Sequence, residues 1–174
     1  MRLMQAPLPK TRSPYTELSR DIFLLSYFSA GINFKDISTL RYSNIAHGRI
    51  YYRRHKTGKE MNCRLTPTTV AIIDKYKRAG NIEDDYIFPI LDGDIHKSEQ
   101  QIYNRLHKVL AHINRELKGW SKRLGISPPL TTYVARHTYA TVLKREGVNV
   151  ALISESLGHS NIQTTQIYLD SFEN

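Results

Sequence analysis

Hydrophobic positions along this 174-residue chain recur mostly at helical spacing, and only one stretch alternates like a pair of strands. The strongest repeat covers about residues 99–124. There Ile102, Leu106, Val109, Ile113, Leu117, Trp120 and Leu124 return every three or four positions and predict a long amphipathic helix. Arg105, Lys108, Arg115, Lys118, Lys122 and Arg123 fall on its other faces. A shorter stripe of Leu18, Ile22, Leu25 and Phe28 or Ser29 predicts a helix capped by Thr16, reaching about Ala30 and stopped by Gly31. Asn33 followed by Asp36 has the form of a capping box opening a short helix to about Leu40. Pro67 stands where a first helical residue would, ahead of Val70, Ile73 and Tyr76. Beyond Ser127-Pro128-Pro129, three short helices are expected at about 132–146, 149–157 and 161–170, punctuated by Gly147 and Gly158. Ser160-Asn161-Ile162-Gln163 reads as the capping box of the last.

Two β-type runs, Ile50 to Arg54 and Met61 to Thr66, flank the turn Lys56-Thr57-Gly58-Lys59 and predict a hairpin. Tyr86 to Pro89 is a short extended segment. Residues 1–15 hold Pro7, Pro9 and Pro14 without an apolar period, so they read as a basic linker or arm ahead of a domain over 16–174. The expected fold class is mainly α with a small antiparallel β-sheet or hairpin, that is, α+β.

Composition narrows the function. The chain carries 25 Lys+Arg against 16 Asp+Glu, a formal charge of +9, which suggests an anionic partner and nucleic acid first. The excess is clustered. Arg41, Arg49, Arg53, Arg54, Lys56, Lys59 and Arg64 face a single acid, Glu60, between positions 41 and 64. From Glu83 to Asp94 the sign reverses, with five acids and no base. One cysteine, Cys63, leaves no internal disulfide framework and fits a reducing compartment. No apolar run approaches the ~20 residues of a membrane span, and the N-terminus has no apolar signal-peptide core. The expectation is a cytoplasmic, nucleoid-associated protein without membrane contact.

The seven histidines form no HExxH pair, and no phosphate-cradling glycine loop is present, so no metal and no nucleotide cofactor is expected. Chemistry concentrates near the C-terminus. Gly158 ends one helix, His159 lies in the connection to the next, and Tyr168 stands nine residues on, in that helix's later turns. Off the stripe of Ile162 and Leu169, Tyr168 is expected to face an anion that His159 and Arg136 also reach. Arginine offers a forked donor for phosphate oxygens, histidine can donate to them, and a lysine such as Lys56 can protonate a leaving alkoxide. A phenol needs that positive field, because it is a poor nucleophile at its ordinary pKa of ~10.

These residues resemble the tyrosine recombinases, or phage-type integrases. R-H-T-x-A-T at Arg136 to Thr141, L-G-H-S at Leu157 to Ser160 and T-T-x-x-Y-L ending at Leu169 stand in the family's order and spacing. R-x-x-K-T-G from Arg53 to Gly58 matches upstream. The likeness runs from about Thr16 to Phe172 and implies the fold of the family's catalytic domain. It implies Tyr168 as the nucleophile forming a 3′-phosphotyrosyl link, Lys56 as the general acid, Arg136 as the second phosphate-clamping arginine and His159 as a phosphate donor. It implies neither metal nor ATP. Arg53, Arg54 and Lys59, beside Lys56, are then expected to contact duplex DNA along its backbone.

Two positions depart from the pattern. Asn33 occupies the place of the first catalytic arginine in Gly31 to Asp36, and Tyr133 replaces the histidine three residues before Arg136. Tyr133 can still donate to phosphate; Asn33 supplies no charge and reads first as a helix cap. Arg41, and after it Arg20, is the expected compensating arginine. His137 reads as a buried structural residue. The resemblance further implies a separate core-binding domain upstream of the linker, a monomer in isolation and a tetramer on two paired attachment or recombination sites. The five residues after Leu169 leave little of a C-terminal tail. Site-specific recombination is the leading expectation. A decayed integrase or directionality regulator that only binds DNA, and a type IB topoisomerase-like nicking enzyme, are its rivals.

Overall fold

The computed structural model describes residues 2–10, 13–80 and 82–170. The expected C-terminal tail, residues 171–174, lies outside them. Helices α1 (Arg2–Gln5), α2 (Tyr15–Phe28) and α3 (Phe34–Ser38) precede a three-stranded antiparallel sheet of β1 (Ile45–Ala46), β2 (Arg49–Arg53) and β3 (Glu60–Arg64). Helices α4 (Pro67–Tyr76), α5 (Glu99–Leu124), α6 (Thr132–Arg145), α7 (Val150–Ser156) and α8 (Ile162–Asp170) follow. The mainly helical reading with one small sheet is what the chain adopts.

Helix α2 is the central element. It packs against α5, α6, α4, α3 and α1 and buries residues on almost every side rather than along one stripe. Its buried polar groups are therefore each bonded. The Ser26 hydroxyl donates to Ile32 O at 2.7 Å, and Asp21 accepts from Lys75 Nζ at 2.7 Å and from Tyr76 Oη at 2.9 Å. Thr16 is not the cap that its position suggested. It lies inside α2, buried, and its hydroxyl donates to Glu116 on α5 at 2.7 Å, while Pro14 precedes the helix. Helix α5 meets α2 through Trp120, whose indole N–H donates to Thr16 O at 3.1 Å. Ser98 and Gln101 cap α5 reciprocally, and Gly125, at φ +59°, ends it.

Other details differ from the pattern-based reading. The stretch read as a linker contains α1, and Leu3 and Ala6 join the main core. In α4, Ile72 and Ile73 turn inward while Val70 is exposed. Strand β1 was missed, being two residues long. The hairpin itself appears with Ile50 opposite Cys63 and Tyr52 opposite Met61, the pairs whose side chains face inward. Arg54 falls one residue past the end of β2, although its N–H still reaches Lys59 O at 2.9 Å. The cap of α8 is Asn161, whose side chain accepts from Gln163 N at 2.8 Å; Ser160 lies one residue too early.

Apolar burial divides into two bodies. A large core gathers α1 to α5, the sheet and Leu130 and Ala135 at the start of α6. A small separate cluster of Ala140, Ile153, Leu157 and Leu169 holds α6, α7 and α8 together.

Candidate active site

The site forms where these two bodies meet. Arg136, on α6, is 5% exposed, and its guanidinium ties both bodies together: Nη1 donates to Gly31 O at 2.7 Å and Nη2 to Leu157 O at 2.5 Å. Gly31 has φ +69°, and a Cβ there would lie 3.1 Å from Arg136 Cγ and from Leu157 Cδ2. Glycine is thus required both by the backbone and by the close approach of the arginine. Arg136 Nη2 also lies 3.2 Å from His159 Nε2. Guanidinium is only a donor, so Nε2 accepts; the ring proton then sits on Nδ1, 2.7 Å from Thr165 Oγ1. Thr165, fully buried on α8, orients the histidine.

Tyr168 follows Thr165 on the same helix, and the buried Leu169 anchors that turn. Its ring stacks on His137 at 3.9 Å and 6°. Tyr133 meets it edge-on at 5.7 Å and His159 at 5.9 Å. The expected open exposure of the phenol is not what the fold presents, because its hydroxyl is buried. Burial raises its pKa above the usual phenol value, the neighbouring Tyr133 adds to that, and Arg136 acts in the opposite direction. Burial and then Arg136, Arg54 and Lys56 push the His159 imidazole down to about 4. Burial and then Arg136 push His137 down to about 4. His137 is buried, as expected, and it also forms the platform under the tyrosine ring.

The hairpin supplies the remaining charge. Lys56 is exposed at its turn, and its field reaches His159. Arg54, expected with Arg53 and Lys59 to contact the DNA backbone, is 5% exposed. Its Nη1 donates to Gly158 O, and its charge depresses both Arg136 and His159. Gly158, at φ +64°, makes room: a Cβ would stand 2.8 Å from Met61 Sδ and 3.1 Å from Arg54 Cδ. Arg53 and Lys59 are exposed, with Arg53 Nε donating to Gly58 O at 2.9 Å. Tyr133 is 56% exposed beside Tyr168.

Arg41 does not join this cluster. Its guanidinium covers the Tyr86 ring at 4.2 Å and donates to Asp84 O, which holds it at the acidic loop. Arg20 is likewise engaged elsewhere, donating to Ala6 O at 3.0 Å and facing Trp120. Asn33 caps α3 as expected, accepting from Asp36 N at 3.0 Å, but the reciprocal half of the box is replaced by a bond from its own amide to the Asp36 carboxylate. Arg54 is the residue whose burial the sequence did not indicate. The available signal was its position two residues before Lys56, where the strand ends and alternation ceases to say which way a side chain points.

Comparison with known proteins agrees with this geometry. The model described as "Phage integrase family" matches residues 2–174. A tyrosine recombinase of Thermosipho africanus is 30% identical over 153 residues, covering 88% of this chain and 50% of that protein. Tyrosine recombinase XerA of Thermococcus onnurineus is 30% identical over 157 residues, covering 89% and 51%. The chain thus spans about half the length of the curated relatives it matches. Among solved structures, XerA recombinase superposes with TM-score 0.58 at 20% identity, over 95% of this chain and 62% of that one. XerH recombinase bound to its difH substrate superposes with TM-score 0.63 at 16% identity, over 91% and 44%. These structures share the fold. With a family match over nearly its whole length and a tyrosine, two arginines and a histidine converging in that fold, the chain belongs to the phage integrase family.

Proposed function

We propose that this chain is the catalytic domain of a site-specific recombinase that cleaves and rejoins duplex DNA through a 3′-phosphotyrosyl intermediate. The observation that carries the reading is the convergence of Arg136, Arg54, His159 and Tyr168 at the junction of the two apolar bodies. Two adjacent buried guanidiniums destabilise one another: burial first, and then Arg54, lower the Arg136 pKa. A phosphodiester seated between them relieves that repulsion and supplies the anion both forks fit. His159, held neutral without an anion, becomes a donor to phosphate once a negative charge lies beside it.

Tyr168 Oη then attacks phosphorus as its proton passes to the neutral His159 imidazole, the P–O5′ bond breaks, and Lys56 gives its own proton to the departing 5′-oxygen. The link stores the bond energy, so a second 5′-hydroxyl can reverse the step without ATP or metal. Tyr133, exposed beside the nucleophile, donates to the same phosphate. Arg53 and Lys59, both exposed, extend a basic face along the duplex, and the surrounding protomers complete a tetramer on two paired sites. Arg54 takes the role expected of Arg41, which removes the main feature that favoured a non-catalytic DNA-binding module.

A nicked suicide substrate tests the reading. A covalent protein–DNA adduct is expected with the parent chain on its own attachment site and is lost in Tyr168→Phe. No adduct would leave only DNA binding. In the same assay Arg54→Ala costs ~10²–10³ in cleavage rate while Arg41→Ala costs little. Equal activity of both variants would remove Arg54 from the machinery.

A further inference from the structure

We infer that Asp36 and His55 form a clamp that positions Lys56, and that Asn33, standing where the family has its first arginine, serves this clamp. The inference rests on the recombinase reading above. Asp36 lies on α3 and is 2% exposed. Its Oδ1 accepts from the backbone N–H of His55 at 3.0 Å and lies 2.7 Å from His55 Nδ1. One carboxylate oxygen therefore grips both the main chain and the ring of a single residue, setting the backbone and the side chain of His55 together. That residue sits between Arg54 and Lys56 in the turn.

The turn has further anchors on the other side. Gly58 N donates to Arg54 O at 2.8 Å, and the Thr57 hydroxyl reaches Gly158 O at 3.5 Å. Arg54 is held by its own bond to Gly158 O. Lys56 is thus flanked by residues fixed to α3 before it and to the α7–α8 connection after it. A lysine has a long, freely rotating stem, and ordering it at a reacting atom costs entropy that a rigid backbone origin reduces.

The neutral residue at position 33 is part of the same device. Asn33 Oδ1 accepts from Asp36 N at 3.0 Å, and Asn33 Nδ2 donates to the carboxylate oxygen that His55 does not use. The amide thereby orients the carboxylate without neutralising it. In this chain the positive charge that position 33 lacks comes from Arg54, and the carboxylate is left to hold the turn that carries both Arg54 and Lys56.

The test compares cleavage of an ordinary substrate with one whose scissile 5′-oxygen is replaced by sulfur. A thiolate leaves without being protonated, since a thiol pKa is ~8.5 whereas that of water is ~15.7. A defect in presenting the general acid is therefore repaired by sulfur, and a defect elsewhere is not. His55→Ala is expected to slow adduct formation on the oxygen substrate by ~10–100-fold, the scale of a small misplacement of a reacting group. Most of that deficit should vanish on the sulfur substrate, as it should for Lys56→Ala, with DNA affinity unchanged. His55→Gln, which keeps a side-chain donor toward Asp36, should recover much of the rate. Parent-like rates for His55→Ala on both substrates, or equal slowing on both, would overturn the clamp. Absence of any adduct from the parent chain on either substrate would instead overturn the recombinase reading on which it rests.

Discussion

The large core and the small C-terminal cluster are built to different standards. The first surrounds α2 with apolar side chains from five other helices and the sheet, and closes over Trp120, which is 1% exposed. The second seats α8, the helix of Tyr168, through Leu169 on the buried Ala140, Ile153 and Leu157, with Tyr139, Leu143, Val148 and Val150 only partly buried around them. Local stability follows buried apolar contact, so Tyr168 rides on the more easily opened of the two bodies. What joins them is largely polar: Arg136 bonds Gly31 on one side and Leu157 on the other, and Arg54 reaches from the hairpin to Gly158. A phosphate drawn to those guanidiniums would bind at the seam itself and tighten it.

Truncations on the two sides separate the bodies most sharply. Trp120→Ala should destabilise the whole domain by ~3–5 kcal/mol, read as a lower urea midpoint for every probe. Leu169→Ala should cost less globally, ~2–3 kcal/mol, because only the small cluster rests on it. It should abolish adduct formation and speed hydrogen exchange of α8 amides while those of α2 and α5 stay protected. Uniform loss of protection in both variants would mean that the two bodies unfold as one.

Gly158→Ala probes the seam. A non-glycine residue at φ +64° with its Cβ 2.8 Å from Met61 Sδ must displace that methionine or Arg54. The expected cost is ~1–3 kcal/mol in the urea midpoint, with a larger loss in cleavage than in stability. A variant that cleaves at the parent rate would show that the Arg54 bond to Gly158 is dispensable.

A further effect is on pH. His137 and His159 are held at about 4 in the fold, below the ordinary ~6.5 that they regain on unfolding. Between those values the unfolded chain binds protons that the folded chain refuses, so stability falls as pH drops from ~6.5 toward about 4. Below that window these two groups cause no further loss. His137→Phe, which preserves a ring under Tyr168, should flatten the decline measured by urea midpoints across this range. An unchanged slope would assign the acid sensitivity to other groups.

Much of the architecture was legible because it depends on local chemistry. The period of α5, Pro67 at the first position of α4 and the hairpin around Lys56 all follow from spacing and turn residues. The R-H-T-x-A-T, L-G-H-S and T-T-x-x-Y-L blocks marked the side chains that the fold brings together. Where reading failed, a distant partner had decided. Thr16 lost its capping role to Glu116, Val70 turned outward in α4, and residues 2–6 docked through Leu3 and Ala6 instead of trailing as a linker.

The choice of arginine shows the division most plainly. The sequence alone determined that a positive charge was missing at position 33 and that an unusual number of arginines lay downstream. It pointed to Arg41 first and Arg20 second, and left Arg54 among the DNA-backbone contacts. Only the tertiary structure decided which of them stands beside Arg136, because Tyr86 and the Asp84 carbonyl capture Arg41 while the glycine at 158 leaves a side-chain-free slot that admits Arg54. Spacing along a chain encodes which face a residue shares with its neighbours; which distant backbone carbonyl will accept its proton is settled only when the helices pack.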